Sequence, residues 1–593
     1  MALGMTAAPP TRIRRASTFS IVVGILIVAI VLSTAIPVIR MLWSAFFPDG
    51  ALDLSLLART FSQPDLGQAA LNTLIVVVVA NAVALPVATF FAWLMERTDA
   101  RMGILSTLLP VIPLLMPIVA LTVGWFFLAD PRSGFINAAI RGIVGVFGGD
   151  PAGVSIGLQG WPGMLLVYIF VIIPQMYVII AASYQSMDPS LEEAARTAGG
   201  SGFRNFWRVS FPAVRHAIGA AALVGVITSV SLYSVPQVLG AQDNIQVLAT
   251  YIYKLINGQY PPAIDQAVVL GVSMLAVVLA IWLGQQRLAG RSRHAQVGGQ
   301  GVRSSRIRLG GWKWPARILV LVYVLCTSIL PLLSLLIVAF QPFWTPNIDV
   351  TKLTVANFTT FFGDGVSRIS LLNSVILGLT VATGTVVVGA LFAAFNRLRP
   401  GWLARVAAVV TKLPAALPHI AFAVGVLILF GFAPFNLRGT LAILFICYII
   451  EFLPTTSIAA ETAVNQVGKQ LSDASLMSGA GPARTLGRVI LPLALPGMAA
   501  GWALVFTIIV GELNSAAILA GPTNTVVGYR ILTIFESGTY AQLAALGVII
   551  VAISMISTFS VLIFARPRYA SRKRRGGRPA PGLSGAIGTM TTQ

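Results

Sequence analysis

Hydrophobic positions in this chain form long continuous runs, and polar positions are largely confined to the stretches between them. We count twelve apolar segments, and most are close to the ~20 residues that an α-helix needs to cross the hydrocarbon of a bilayer. These segments are residues 19–39, 71–95, 103–129, 162–184, 217–239, 264–284, 316–340, 372–395, 403–430, 438–457, 494–519 and 540–565. The pattern predicts an all-α polytopic membrane protein with about twelve transmembrane helices.

Residues of the first half recur in the second half at fixed offsets. The offset is 301 residues up to the third apolar segment and 280 from the fourth onward, so the first half carries a 21-residue insert. The matched pairs are Asn72 and Asn373, Thr73 and Ser374, Pro113 and Pro414, Pro117 and Pro418, Gly124 and Gly425, Tyr168 and Tyr448, and Pro174 and Pro454. Each half holds an even number of spans, so we predict two parallel six-helix repeats. We expect the prolines to kink their helices.

The repeat divides the chain into five segments. We predict a disordered cytoplasmic tail, a first six-helix half, a basic flexible cytoplasmic linker, a second six-helix half and a basic cytoplasmic tail. Their respective ranges are 1–16, 17–284, 285–315, 316–566 and 567–593. The linker is rich in Gly, Ser and Arg and contains no acidic residue, which is typical of a flexible connection.

Composition and charge favour a membrane protein over a soluble or nucleic-acid-binding one. The chain is 56% hydrophobic and 10% charged, with a net charge of +21. If the N-terminus is cytoplasmic, 30 of the 40 Lys and Arg residues lie in cytoplasmic segments, and the positive-inside rule then places both termini in the cytoplasm. The basic residues lack interleaved aromatic platforms for bases. We therefore expect contact with membrane lipid and no nucleic-acid partner.

One polar loop occurs in both halves, between the fourth and fifth predicted helices. An acidic residue, an alanine, a glycine and a proline recur in it at the same offset of 280 residues. The residues of interest are Glu193, Ala194, Ala195, Gly199 and Pro212 in the first copy, and Asp473, Ala474, Gly479 and Pro492 in the second. A polar loop that is preserved in both halves of an otherwise apolar chain indicates contact with a partner.

The spacing predicts two short helices that meet at the glycine. Glycine accepts a positive φ without a Cβ clash, and the proline is expected to end the second helix and to start the next span. In the first copy the second helix has a large aromatic face, made by Phe203, Phe206, Trp207 and Phe211. We expect a rigid projection whose exposed aromatic side chains dock into a partner's groove. The alternative is an amphipathic connector lying flat in the headgroups, but the duplication favours docking.

The chain contains no nucleotide-binding or metal-binding motif. The phosphate-binding pattern Gly-x-x-x-x-Gly-Lys-Ser/Thr and the zinc pattern His-Glu-x-x-His are both absent. The two cysteines and three histidines are dispersed along the chain. We therefore expect no catalytic site, no bound cofactor and no metal site, and we do not expect this chain to be an enzyme.

The repeated loop resembles the coupling loop of permease subunits in binding-protein-dependent ABC importers of type I. That loop reads Glu-Ala-Ala-x-x-x-Gly, followed after nine residues by Ile-x-Leu-Pro, and Glu193, Ala194, Ala195, Gly199 and Pro212 match it. The second copy has Asp473 for the glutamate and Ser475 for the second alanine, but it keeps the other residues of interest. The resemblance covers both six-helix halves.

The resemblance carries several implications. Each loop would insert into one of two cytoplasmic ATP-binding subunits, which use the ATP, and an extracytoplasmic substrate-binding protein would deliver the substrate. The chain would be a multi-pass protein of the bacterial inner membrane. Fusion of two halves in one chain resembles the ferric-iron permeases, and the alternatives are thiamine, phosphonate and polyamine permeases.

Charged or polar residues inside spans are candidates for the translocation path, because they are costly to place in a membrane. They are Glu512 and Asn514 in the eleventh predicted span, Glu451 in the tenth and Lys412 in the ninth. Glu451 and Lys412 have an alternative role as a structural ion pair. A carboxylate in the path favours a cationic substrate, such as ferric ion or a cationic organic molecule.

A proton-coupled secondary transporter is the rival function, with Glu512 or Glu451 as its coupling carboxylate. Parallel repeats occur in such transporters as well. The duplicated loop separates the two hypotheses, because a proton-driven carrier has no need for paired cytoplasmic projections of fixed spacing.

Overall fold

The computed structural model describes residues 18–48, 50–103, 109–150, 155–188, 190–200, 202–289, 306–399 and 401–564 of the 593-residue chain. The predicted tails 1–16 and 567–593 lie outside the described residues, as does the part of the predicted linker from 290 to 305. Within the described ranges the regular structure is helical, and the β contact found there is an isolated bridge between Thr98 and Ile307. The predicted all-α fold class is confirmed.

The first half is built from eight main helices with short helical turns between them. The main helices are α1 (Thr18–Phe46), α2 (Pro64–Arg97), α3 (Ile118–Ala129), α4 (Trp161–Ser186), α5 (Ser190–Thr197), α6 (Arg215–Ser231), α7 (Leu248–Asn257) and α8 (Ile264–Ala289). The shorter helices are Ser55–Phe61, Leu109–Leu115, Phe135–Val146, Gly202–Asn205, Phe206–Ser210, Phe211–Ala213, Pro236–Gly240 and Ala241–Asp243.

The second half repeats this order. Its main helices are α9 (Lys313–Val324), α10 (Leu330–Phe340), α11 (Gly365–Leu398), α12 (Trp402–Val410), α13 (His419–Phe430), α14 (Leu441–Gln466), α15 (Lys469–Met477), α16 (Leu491–Val510), α17 (Ala516–Leu519), α18 (Val527–Glu536) and α19 (Tyr540–Phe564). The shorter helices are Gly310–Trp312, Leu325–Ile329, Val350–Lys352, Ala356–Gly363, Leu413–Ala416, Pro482–Thr485 and Leu486–Ile490.

The predicted number of spans is confirmed, but the third span of each half is sharply bent. In the described part of the chain, nine helices are long and apolar enough to cross a bilayer, and three bent pairs raise the number to twelve. Leu109–Leu115 meets α3 at 98°, and Trp402–Ala416 meets α13 at 100°. Pro117 and Pro418 directly precede α3 and α13. Proline lacks an N–H and disfavours helical backbone before it, so the predicted kinks occur at these residues.

The first helix of each half packs against the other half. α1 lies against α13 and also against α8 of its own half, and α10 lies against α3 and α19 in the same way. The repeated glycines allow this close approach, since a Cβ on Gly124 would come within 2.6 Å of the Pro331 carbonyl oxygen. A Cβ on Gly425 would come within 2.9 Å of Met41 Sδ. Because the first span of each half packs on the other half, the two halves form one packed unit.

The fifth span of each half is shorter than its apolar run predicts. α6 ends at Ser231 and α16 ends at Val510, and the chain is non-helical at 232–233 and turns at 511–515 before the next short helix begins. The repeated asparagines Asn72 and Asn373 bind the segment that follows each of these early helix ends. Asn72 Nδ2 donates to the Gln246 carbonyl and Asn373 Nδ2 donates to the Thr525 carbonyl, both at 2.8 Å. Equivalent polar contacts therefore fix the same fold-back in both halves.

The described end of the predicted linker, at residues 306–315, makes long-range contacts with the first half. The Ile307 N–H donates to the Arg97 carbonyl, and the Ile307 carbonyl accepts from the Asp99 N–H, both at 3.0 Å. The Arg317 guanidinium just beyond it donates to the carbonyls of Ala100 (3.0 Å), Asp99 (3.3 Å) and Arg101 (3.2 Å). These contacts bind the entry of the second half to the end of α2, a long-range pairing that composition does not reveal.

Candidate functional site

The two repeated loops, residues 190–212 and 469–492, have the same capped geometry. Gly199 has φ +81° and Gly479 has φ +80°. One residue further on, Gly200 N donates to the Ala195 carbonyl (3.0 Å) and Ala480 N donates to the Ser475 carbonyl (3.2 Å). A positive φ with this six-residue hydrogen bond is the Schellman ending of a helix. The predicted glycine turn is therefore present in both loops.

Glu193 and Asp473 lie on the exposed faces of α5 and α15. Ala194 and Ala474 are exposed beside them, whereas Ala195 is half-buried. The Ser190 N–H donates to Asp188 Oδ1 (2.9 Å), which fixes the start of α5 and lowers the pKa of that carboxyl. Each loop thus has an acidic residue and a small residue on its exposed face.

The acidic residue that anchors the first loop is Glu192, which sequence reasoning missed. Its carboxylate accepts from Arg97 Nη2 (2.6 Å), Arg97 Nε (3.0 Å) and Ser210 Oγ (2.6 Å). The side chains of Arg97 and Glu192 are only 4% and 3% exposed. Adjacent residues on a helix point about 100° apart, so the packing of α5 on α2 decides which of two neighbouring glutamates is buried.

The second loop is anchored by neutral groups instead. Ser472 takes the place of Glu192, and its Oγ accepts from Arg397 Nη2 at 3.1 Å. Arg397 Nη1 also donates to the Val464 carbonyl, and Arg397 Nε is buried without a hydrogen-bond partner among the described residues. The two repeated loops share one geometry, but they are held by different electrostatics.

Three of the four predicted aromatic side chains of the first loop are described, and they differ in burial. Phe206 is buried, and its ring packs on Trp93 of α2 with 5.0 Å between centroids. Phe211 is half-buried and its ring lies 5.3 Å from Trp207. Trp207 is 52% exposed. Among the described aromatic side chains of the predicted docking face, Trp207 is thus the exposed one, while Phe206 holds the loop against α2. The side chain of Phe203 lies outside the described residues.

The repeated prolines lie at the start of an α-helix, as predicted, but they do not end the helical turn before it. Pro212 and Pro492 each follow a π-helical turn and occupy the first turn of an α-helix. The missing proline N–H costs little at that position. In the second loop the helix continues through Pro492 as far as Val510, whereas in the first loop it bends by 66° just beyond Pro212.

Glu512 lies in the break after α16 and caps the short helix α17. Its carboxylate accepts from the backbone N–H groups of Ser515 and Ala516 and from the hydroxyl of Tyr448, each at 3.0 Å. The side chain is buried. Three hydrogen-bond donors of the protein thus satisfy this carboxylate.

Glu451 of α14 lies beside the same break and is less well satisfied. Glu451 Oε1 accepts from Ser515 Oγ at 2.7 Å. Glu451 Oε2 is buried and has no hydrogen-bond partner among the described residues. The structure thus brings Glu451 and Glu512 together on Ser515, which the sequence separation of these residues does not indicate.

Asn514 belongs to this region, but Lys412 does not. Asn514 Oδ1 accepts from Tyr233 N at 2.8 Å, which links the break in the second half to the break in the first. Lys412 is exposed and its Nζ lies 2.7 Å from Glu461 Oε2. The predicted pairing of Lys412 with Glu451 is therefore wrong, because the bend at Pro418 places the lysine near a different turn of α14.

The sequence was also compared with known protein families. Residues 84–293 and 385–575 each match the model of the family described as the binding-protein-dependent transport system inner membrane component. The two matches begin 301 residues apart, the offset of the repeat, and each contains one repeated loop.

The chain belongs to this permease family.

Two curated relatives extend over most of this permease. The ferric transport system permease protein FbpB of Actinobacillus pleuropneumoniae is 25% identical over 78% of this chain and 66% of its own length. A probable ABC transporter permease protein of Sinorhizobium fredii is 27% identical over 76% of this chain and 79% of its own length. The permease thus spans about two thirds of the first relative's length.

Among solved structures, a bacterial ABC transporter for import of the acidic polysaccharide alginate matches the permease. It is 17% identical, with a TM-score of 0.38 over 46% of this chain and 96% of the other. The assignment to the family rests on the two matched repeats alone.

Proposed function

We propose that this permease forms the translocation path of an ATP-driven solute importer of the inner membrane. Two ATP-binding subunits dock from the cytoplasm, one on α5 and one on α15, and consume the ATP. A substrate-binding protein delivers the solute from the other side. One observation carries the proposal: both family matches contain a helix with an exposed acidic, small-residue face and a Schellman cap.

The substrate we propose is ferric iron. Support comes from the relative named as a ferric transport system permease and from the two carboxylates at the break after α16. Thiamine, phosphonate and polyamines are the alternative substrates. A putative 2-aminoethylphosphonate permease of Salmonella typhi is 28% identical, but over only 24% of this chain.

A pull-down from native membranes tests the docking. The tagged permease is purified in detergent, and co-purifying proteins are identified by mass spectrometry. We expect an ATP-binding subunit with the wild type and its loss when Gly199 and Gly479 are both replaced by valine. A β-branched residue at positive φ is strained by about 1–3 kcal/mol, and no atom within 4 Å of either Cβ position adds a steric effect.

The matched control replaces both glycines with asparagine, which tolerates the left-handed conformation and should retain the ATP-binding subunit. Uptake by the permease alone in proteoliposomes under a proton gradient, with no ATP-binding subunit captured, would favour the proton-coupled transporter. The buried carboxylates make that the second candidate function.

A further inference from the structure

We propose that Glu451 is the residue of the second half that contacts a cationic substrate, and that Glu512 positions this contact. This inference rests on the proposed transport function and assigns the substrate class. The sequence offers both carboxylates as candidates for the path, and their contacts in the structure distinguish them.

The hydrogen bonds separate the two carboxylates. Glu512 accepts from two backbone N–H groups and a tyrosine hydroxyl, so its oxygens are committed to capping α17. Glu451 accepts one hydroxyl at Oε1, while its Oε2 is buried and unpartnered among the described residues. An unpaired buried carboxylate is costly unless a cation or a proton neutralises it. Neither carboxylate forms an ion pair with a described basic side chain.

The first half provides an internal control for whether the fold needs these carboxylates. At the offset of 280 residues, Leu232 corresponds to Glu512, Val171 to Glu451 and Val235 to Ser515. All three first-half residues are buried. Tyr168, the counterpart of Tyr448, donates its hydroxyl to the Leu232 carbonyl at 3.1 Å instead of to a carboxylate. The first half therefore forms its break without a carboxylate at the positions of Glu451 and Glu512, so the break does not require an acidic residue at the position of Glu451.

The ligand chemistry of the region favours a hard cation or an ammonium group. Its polar groups are the carboxylates of Glu451 and Glu512, the hydroxyls of Ser515 and Tyr448, and the Cys447 thiol, which contacts Glu451. Four of these five groups offer oxygen, and oxygen ligands suit hard cations. No cluster of three or more His, Cys, Asp or Glu residues that could hold a metal ion occurs in the described ranges. Few ligands suit a contact in transit, because a conducting site must also release its ion.

The break also lies at the seam between the halves, where a moving path would open. Asn514 of the break accepts from Tyr233 N of the first half. A Cβ on Gly511 would lie 2.5 Å from Pro117 Cβ, so the bend of the third span in the first half closes directly on this region. Broken helices at a repeat interface are typical sites of substrate contact in transporters.

Transport by the reconstituted complex tests the assignment. The permease, its ATP-binding subunits and its binding protein are placed in proteoliposomes, and ATP-dependent uptake is measured with radiolabelled ferric iron in one arm and radiolabelled putrescine in the other. We expect Glu451→Gln to lower uptake of the transported cation about tenfold or more, since a contact with a charged group contributes about 1.5–3 kcal/mol. Glu451→Asp should restore part of it. The arm that responds identifies the cation.

Two further variants keep the result decisive. Glu461→Gln, on the same helix but in the exposed pair with Lys412, should transport like the wild type. Glu451→Val copies Val171 of the first half, and it should lose uptake while keeping wild-type thermal stability and retention of the ATP-binding subunits.

Uptake within twofold of wild type in Glu451→Gln would overturn the assignment and leave the importer intact. A fall in stability and subunit retention that parallels the fall in uptake would overturn it too, since Glu451 would then be structural. Absence of ATP-dependent uptake in the wild type, with either cation, would instead refute the proposed function as we state it.

Discussion

Replacing Glu192 with glutamine should release α5 from its anchor on α2. In the wild type the Glu192 carboxylate accepts two hydrogen bonds from Arg97 and one from Ser210. Glutamine keeps the shape and one acceptor oxygen but removes the negative charge. The guanidinium of Arg97 is then left as a buried charge without a counter-ion, while the exposed surface of the loop is unchanged.

The burial of Arg97 and Glu192 determines how much free energy the substitution costs. Both side chains are at most 4% exposed, so the low values measured for surface ion pairs do not apply. Removing one partner of a buried pair costs about 3–5 kcal/mol, and we take the lower end because glutamine still accepts a hydrogen bond. A loss of about 3 kcal/mol corresponds to a change of about 150-fold in the opening equilibrium of the loop.

Hydrogen exchange followed by mass spectrometry measures this opening directly. Amides of α5 should exchange about 150-fold faster in Glu192→Gln. The control is Asp473→Asn on the exposed face of α15, and it should leave the exchange of α5 and α15 at the wild-type rate. Ser472→Ala in the second loop should accelerate exchange of α15 by a smaller factor, about 30-fold, since it removes two hydrogen bonds of about 1 kcal/mol each, one from Arg397 and one to the Lys469 carbonyl. Exchange of α5 at the wild-type rate in Glu192→Gln would refute the reasoning.

Two other predictions concern the side that we predict to be cytoplasmic. Met477 is 90% exposed at the end of α15. Met477→Glu should therefore lower the number of ATP-binding subunits per permease from two to one in native mass spectrometry, whereas Met477→Leu should leave it at two. Two subunits in both variants would show that α15 is not part of the docking surface. Arg317→Ala should speed proteinase K cleavage within residues 306–312 about tenfold or more, because three hydrogen bonds to backbone carbonyls are lost. The control is Arg308→Ala, since Arg308 is exposed. Unchanged cleavage in Arg317→Ala would mean that other contacts hold this segment.

The helical architecture and the repeated glycine turns were predictable from the sequence because both depend on local chemistry. A run of about 20 apolar residues favours a span wherever it occurs, so the spans follow from hydrophobicity alone. Gly199 and Gly479 follow from backbone sterics, since few residues other than glycine accept a φ near +80°. The prolines at 117 and 418 likewise predict a break, although the chain alone does not give its angle.

The tertiary structure alone decided which charged groups meet. Glu192 and Glu193 are equivalent by composition, and only the rotation of α5 relative to α2 buries the first and exposes the second. Lys412 pairs with Glu461 rather than Glu451 because the third span of the second half bends by 100°. Glu451 and Glu512, 61 residues apart, meet at Ser515 because α16 ends early. Such contacts depend on the packing of distant segments, which apolar periodicity cannot encode, since lipid and protein neighbours favour the same apolar side chains.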